Sequence, residues 1–203
     1  MKFALYVEGY TERALSSFLK RWLDPRLSRG VGIDPVRFSG SGDYRKSFAQ
    51  RAERDLNSSR LIAVIGLLDL YRAGLEFPPN LTTDAKCTWA KAQLERQVGD
   101  SRFRQHFAVH ETEAWLLSNH EIFPVAIGLH LMGLAVRPES VNLQQPPAKL
   151  LHRVYRTYGR EYKKVVDGSA LFGKLDPNRA YERCPHLRML LDDMLALAKA
   201  AGY

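Results

Sequence analysis

The chain has 203 residues and a mass of 23.1 kDa, room for one ordinary domain, and its 45% apolar and 26% charged residues exclude wholesale disorder. No apolar run reaches the about 20 residues that a membrane span needs. Thirty Lys and Arg against 22 Asp and Glu leave a formal charge of +8, which favours contact with phosphate and says nothing about fold.

The first pattern is Lys2 to Val7, short and nearly all apolar, as in a strand buried on both faces of a parallel sheet. Glu8 interrupts it at once, so an ordinary secretory signal is not expected. Thr11 to Leu23 reads as an amphipathic helix that Thr11 caps and Asp24-Pro25 ends. Val31 to Phe38 is extended, with Pro35 marking an edge strand. Ser39 to Gly42 reads as a flexible loop, and about Asp43 to Asn57 as a helix with Tyr44, Phe48, Ala52 and Leu56 on one stripe. Leu61 to Leu68 is a second buried strand ending at Asp69. A turn-rich stretch from Arg72 to Asn80 precedes a helix over Thr83 to Val98, closed by Gly99.

The third strand candidate is Arg104 to Val109, running into His110-Glu111-Thr112-Glu113. The rest is mainly helical. Pro146-Pro147 leads a helix carrying Leu150, Leu151, Val154, Tyr155 and Tyr158. Asp176-Pro177 opens a short helix, and Pro185 starts the last one. The expected fold is α/β, a mostly parallel sheet flanked by helices, as a single domain over 1–203. Residues 1–118 would hold the sheet and 119–203 a helical C-terminal portion. Cys87 and Cys184 make neither a disulfide framework nor, alone, a zinc site, which predicts a reducing cytoplasm, and with no apolar run long enough to span a bilayer no membrane partner is expected.

Each of the three buried strands runs into acid: Glu8, Asp69, and Glu111 with Glu113. In an open parallel sheet the carboxyl ends share one edge, where ligands bind. Glu12, in the first turn of the following helix, would sit over the same edge. Carboxylates gathered there repel one another unless a cation lies between them, and hard oxygen donors suit Mg²⁺, Mn²⁺ or Ca²⁺. Taken singly, Glu12 also reads as a helix-dipole partner, Asp69 as a turn residue and Glu113 as part of a solvated face.

Glu8-Gly9-Tyr10-Thr11-Glu12 resembles the first motif of Toprim nucleases, in the form found in the overcoming-lysogenization-defect group. Leu68-Asp69-Leu70-Tyr71 resembles that fold's second motif, and His110-Glu111-Thr112-Glu113-Ala114-Trp115 a third acidic one. More closely, the chain resembles a family of small Toprim-like proteins catalogued as domain of unknown function 4276. That resemblance includes Gly40-Ser41-Gly42-Asp43-Tyr44, Pro147-Ala148-Lys149, Tyr162-Lys163-Lys164 with Gly168, and Arg183-Cys184-Pro185-His186.

The resemblance implies a Toprim-like core holding one or two Mg²⁺ or Mn²⁺ ions for phosphodiester hydrolysis of DNA or RNA. It also implies a separate ATPase partner and a role in defence against phage or mobile elements. Carried over, Glu8 and Glu12 would hold one metal or position its water, Asp69 would be the main ligand, and Glu111 with Glu113 would complete a second site. Tyr71 stands where such motifs usually place a second acid. Lys149 is the first candidate for the cation that meets the developing phosphorane charge, with Lys163 and Lys164 behind it.

Substrate phosphates would meet Arg45, Lys46, Arg51 and Arg54 on the second helix. His106 and His110 are expected on one side of a strand, with His110 orienting a ligand. No zinc, nucleophile-elbow or P-loop motif is present, so ATP hydrolysis would belong to another chain. The rival reading is a module that keeps the core and binds nucleic acid or a partner without cutting. A homo-oligomer is left open.

Overall fold

The computed structural model describes residues 1–8, 12–134, 136–140 and 145–203, without the side chains of Glu12, Arg13 and Arg72. Strand β1 (Lys2–Glu8) is followed by helix α1 (Glu12–Leu23) and strand β2 (Gly32–Phe38). Helix α2 (Ser41–Leu56) then leads to β3 (Leu61–Asp69), and α3 (Thr83–Val98) to β4 (Phe103–Ala108). Beyond the sheet come α4 (Glu113–Leu116), α5 (Val125–Leu131), α6 (Pro147–Thr157), α7 (Lys164–Lys174), α8 (Pro177–Arg183) and α9 (Pro185–Ala200). Among the described residues no helix is long and apolar enough to cross a membrane.

The four strands are all parallel, in the order β2-β1-β3-β4. Side chains alternate between two cores, because successive residues of a strand point to opposite faces. Phe3, Leu5, Val7, Ile65 and Leu67 pack with α1 and the C-terminal helices. Ala4, Tyr6, Val64 and Leu68 pack with α2 and α3. The central strand β3 is buried from Leu61 to Leu68, which is why its sequence is continuously apolar.

The path of the chain locates a crevice. From β1 it moves outward to β2 with α1 on one face. It then crosses back over β1 to β3 and on to β4, with α2 and α3 on the other face. The direction reverses between β1 and β3, and the carboxyl ends of those two strands, at Glu8 and Asp69, flank the switch point where open α/β sheets bind ligands.

The C-terminal helices are integral to the packing. Glu139, whose carboxylate side chain is 6% exposed, accepts hydrogen bonds from Trp115 Nε1 (3.2 Å) on α4 and from the backbone N–H groups of His186 (2.9 Å) and Leu187 (3.4 Å) in the first turn of α9. One carboxylate thus satisfies otherwise unpaired helix donors and ties the last helix to the segment after β4.

Local outcomes refine the sequence reading. Helix α2 begins at Ser41, following Gly40 in a positive-φ conformation (108°), so Ser41 and Gly42 lie in its first turn rather than in a loop. Thr11 lies outside the described residues. Pro35 pairs in register with Leu5 on edge strand β2, where a missing N–H is tolerated. Strand β4 ends at Ala108, so His110 falls beyond it and does not share a strand face with His106. His106 is buried instead, with Nε2 3.1 Å from Asp193 of α9. Tyr158 stands exposed at the end of α6, off its apolar stripe.

Gly66, in the middle of β3, is a close approach. A Cβ added there would lie 2.2 Å from the Tyr44 hydroxyl and 2.4 Å from Gln105 Oε1, two buried groups that hydrogen-bond to each other at 2.5 Å. Gly66→Ala is expected to cost about 1–3 kcal/mol by overpacking, read as a lower urea midpoint with an unchanged denaturant slope.

Candidate functional site

Asp69 is the last residue of β3, and its side chain is 15% exposed. Its Oδ1 accepts a hydrogen bond from Thr112 N (3.2 Å), which fixes it against the segment that follows β4. That segment carries Glu111 and Glu113, both buried. Glu111 Oε2 accepts from Ala148 N (2.9 Å), so the first turn of α6 is moored on this carboxylate. Glu8, at the end of β1, lies near enough to Asp69 to act on its charge.

A lysine from the C-terminal portion completes the group. Lys164, the first residue of α7, places Nζ 3.0 Å from Glu113 Oε1 and 4.0 Å from Asp69 Oδ2. Burial pushes the Asp69 carboxyl up to about 8; Lys164 opposes the shift, while Glu113, Glu111 and Glu8 add to it. Glu113 is raised for the same leading reason, again against the pull of Lys164. Burial works against the Lys164 charge, but Glu113 and Asp69 outweigh it and hold its pKa above the ordinary value.

Tyr162 sits under the same group. Its hydroxyl is buried and has no hydrogen-bond partner among the described residues. Its pKa is raised, first by burial and then by Glu113. The phenol therefore stays protonated, a buried donor near the carboxylates.

The structure thus brings Glu8, Asp69, Glu111 and Glu113 to one edge, as the strand ends imply. Nothing is described of the Glu12 side chain. Tyr71 is 40% exposed and adds no carboxylate. Of the three lysines named from sequence, Lys164 reaches the carboxylates. Lys149 is exposed on α6, and exposed Lys163 lies 4.0 Å from Glu161.

On α2, Arg51 lies over the rings of Tyr6 and Phe38 and 4.0 Å from Asp55. Arg45 is exposed, with its guanidinium close to the turn at Gly74. Lys46 and Arg54 remain exposed. Tyr162 was not singled out from sequence as a site residue. The only signal was its place beside Lys163-Lys164.

By donor type the carboxylates fit a hard divalent cation. Their arrangement is that of a lysine-filled site, because the Lys164 ammonium occupies the position between Asp69 and Glu113. Among the described residues no three His, Cys, Asp or Glu side chains are grouped to hold a metal ion. An ion entering here would have to displace Lys164.

Fold and side chains together define an α/β protein whose parallel sheet presents buried carboxylates and a lysine beside its switch point. The family described as Domain of unknown function (DUF4276) matches residues 7–195, and the chain belongs to it. No curated protein and no solved structure matches significantly.

The buried acid has a cost that can be measured. Because the folded pKa of Asp69 is raised, the folded state keeps a proton that the unfolded chain releases, and stability falls as pH rises from about 4 to about 8. Asp69→Asn removes this penalty. In a chelator-containing buffer its thermal midpoint is expected to match wild type near pH 4 and to exceed it by about 2–8 °C at pH 8 and above.

Proposed function

We propose that the carboxyl edge is the active site of a divalent-metal-dependent nuclease. The observation that supports this best is the convergence of Asp69, Glu113 and Lys164 from β3, the segment after β4, and α7 at the switch point. A protein gains nothing in stability from burying acids in that way, and such an arrangement is characteristic of sites that act on charge. The resemblance of the three acidic motifs to Toprim nucleases supports the same reading.

On this reading Asp69 and Glu113, with Glu8 and Glu111, would hold Mg²⁺ or Mn²⁺. Bound there, the ion would supply Lewis acidity and a more acidic water. The chain's own groups do the rest. Lys164, the cation already at the carboxylates, would offer its ammonium to a phosphate oxygen as negative charge develops. Tyr162 donates its hydroxyl hydrogen bond to the same region. Glu111 stays fixed by Ala148 N and keeps α6 against the site. A separate ATPase partner and a role in defence against phage or mobile elements belong to this proposal through the resemblance alone.

A second reading, binding without cleavage, is favoured by one observation: Lys164 already fills the acidic pair, and Tyr71 offers no further acid. Assays with labelled plasmid, single-stranded DNA and total tRNA, with Mg²⁺ or Mn²⁺ or with chelator, separate the two. The nuclease reading expects metal-dependent cutting that falls by at least about 100-fold in Asp69→Asn. Cutting that survives this substitution, or no cutting of any substrate by wild type, would count against it.

A further inference from the structure

Helix α6 buries Leu150, Leu151, Val154 and Tyr155 and turns Lys149, His152, Arg153 and Arg156 to solvent. Those four positions follow the spacing of one helix face. Exposed Arg160 continues the line past the end of the helix. Lys149, Arg153, Arg156 and Arg160 make no ion pair with any described residue, unlike Lys2, Lys20, Lys91 and Arg102 elsewhere on the surface. Two open clefts of about 490 Å³ run along this face. One is lined by Lys149, His152, Arg153 and Arg156, and the other by His152, Arg156, Arg160 and one acid, Glu161.

The stripe begins beside the acidic site. Ala148, the residue before Lys149, donates its backbone N–H to Glu111. At about 1.5 Å per residue, Lys149 to Arg156 covers about 10 Å, the rise of about three nucleotides of one strand. Fixed on a moored helix, the cations are positioned for successive phosphates.

We propose that the solvent face of α6 is the track on which a nucleic-acid strand binds through its phosphates and is led to the carboxyl edge. The track rests on the nuclease reading for its purpose, but its binding is tested without cleavage. It differs from the α2 surface expected from sequence, where Arg51 is engaged by the rings of Tyr6 and Phe38 and by Asp55.

The test is fluorescence anisotropy in chelator with labelled single-stranded DNA, duplex DNA and RNA of equal length, across a salt series. Wild type is compared with Arg153→Glu/Arg156→Glu and with Lys46→Glu/Arg54→Glu, which alters net charge equally on α2. All four side chains are exposed, and matching thermal midpoints would confirm that the variants fold. The α6 pair should weaken binding on the order of tenfold or more and lower the salt slope by about 2, whereas the α2 pair should change neither.

Equal losses in both variants, no loss in the α6 variant, or no binding of any probe by wild type would each overturn the track. The probe bound most tightly identifies the strand type. Binding through α6 without metal-dependent cutting would leave the track standing and remove the nuclease reading. Cutting with full binding by the α6 variant would do the reverse.

Discussion

The ammonium of Lys164 is the interaction on which the carboxyl edge depends. Asp69 and Glu113 come from different elements and are both withdrawn from water, where two negative charges repel strongly. A lysine at 3.0 Å from one and 4.0 Å from the other lets them share the space. That lysine begins α7, which packs against α1 through Phe172 and Phe18. The charge balance of the site therefore reaches into the core, and the helices after the sheet belong to the site as much as the strands do.

Topology explains why the acids meet here. The reversal of direction between β1 and β3 opens a crevice at their carboxyl ends, and register alone brings Asp69 level with Ala108, just before the Glu111–Glu113 segment. Backbone donors then hold the carboxylates individually: Thr112 N for Asp69 and Ala148 N for Glu111. Glu113 is met by Lys164 at 3.0 Å and by the Thr112 hydroxyl at 3.5 Å. The group is fixed in place rather than gathered by its own chemistry, as expected of a site prepared for an incoming charged ligand at some cost in stability.

The sheet was legible because buried parallel strands are written as short apolar runs ending in acid, a pattern that survives any error in helix boundaries. Helix α7 was harder to read. It carries Val165, Val166, Gly168 and Gly173, all weak helix formers, and its stability comes from burying Leu171 and Phe172. Its charge partner was therefore hard to rank: Lys149, Lys163 and Lys164 are equivalent in one dimension, and only the placement of α7 separates them. The basic face of α6 was hidden for a related reason. Lysine and arginine counts do not distinguish cations engaged in packing, such as Arg51 over Tyr6 and Phe38, from those left open to solvent.

If Lys164 holds the place of a divalent ion on the proposed reading, then lysine and metal compete for the same carboxylates. The most direct test is calorimetric titration of Mn²⁺ into wild type and Lys164→Gln. The account predicts tighter Mn²⁺ binding by the variant, on the order of tenfold, together with loss of whatever cutting wild type shows. Equal or weaker Mn²⁺ binding by a folded Lys164→Gln would contradict it, leaving Lys164 as a structural counter-ion and the carboxyl edge without a metal.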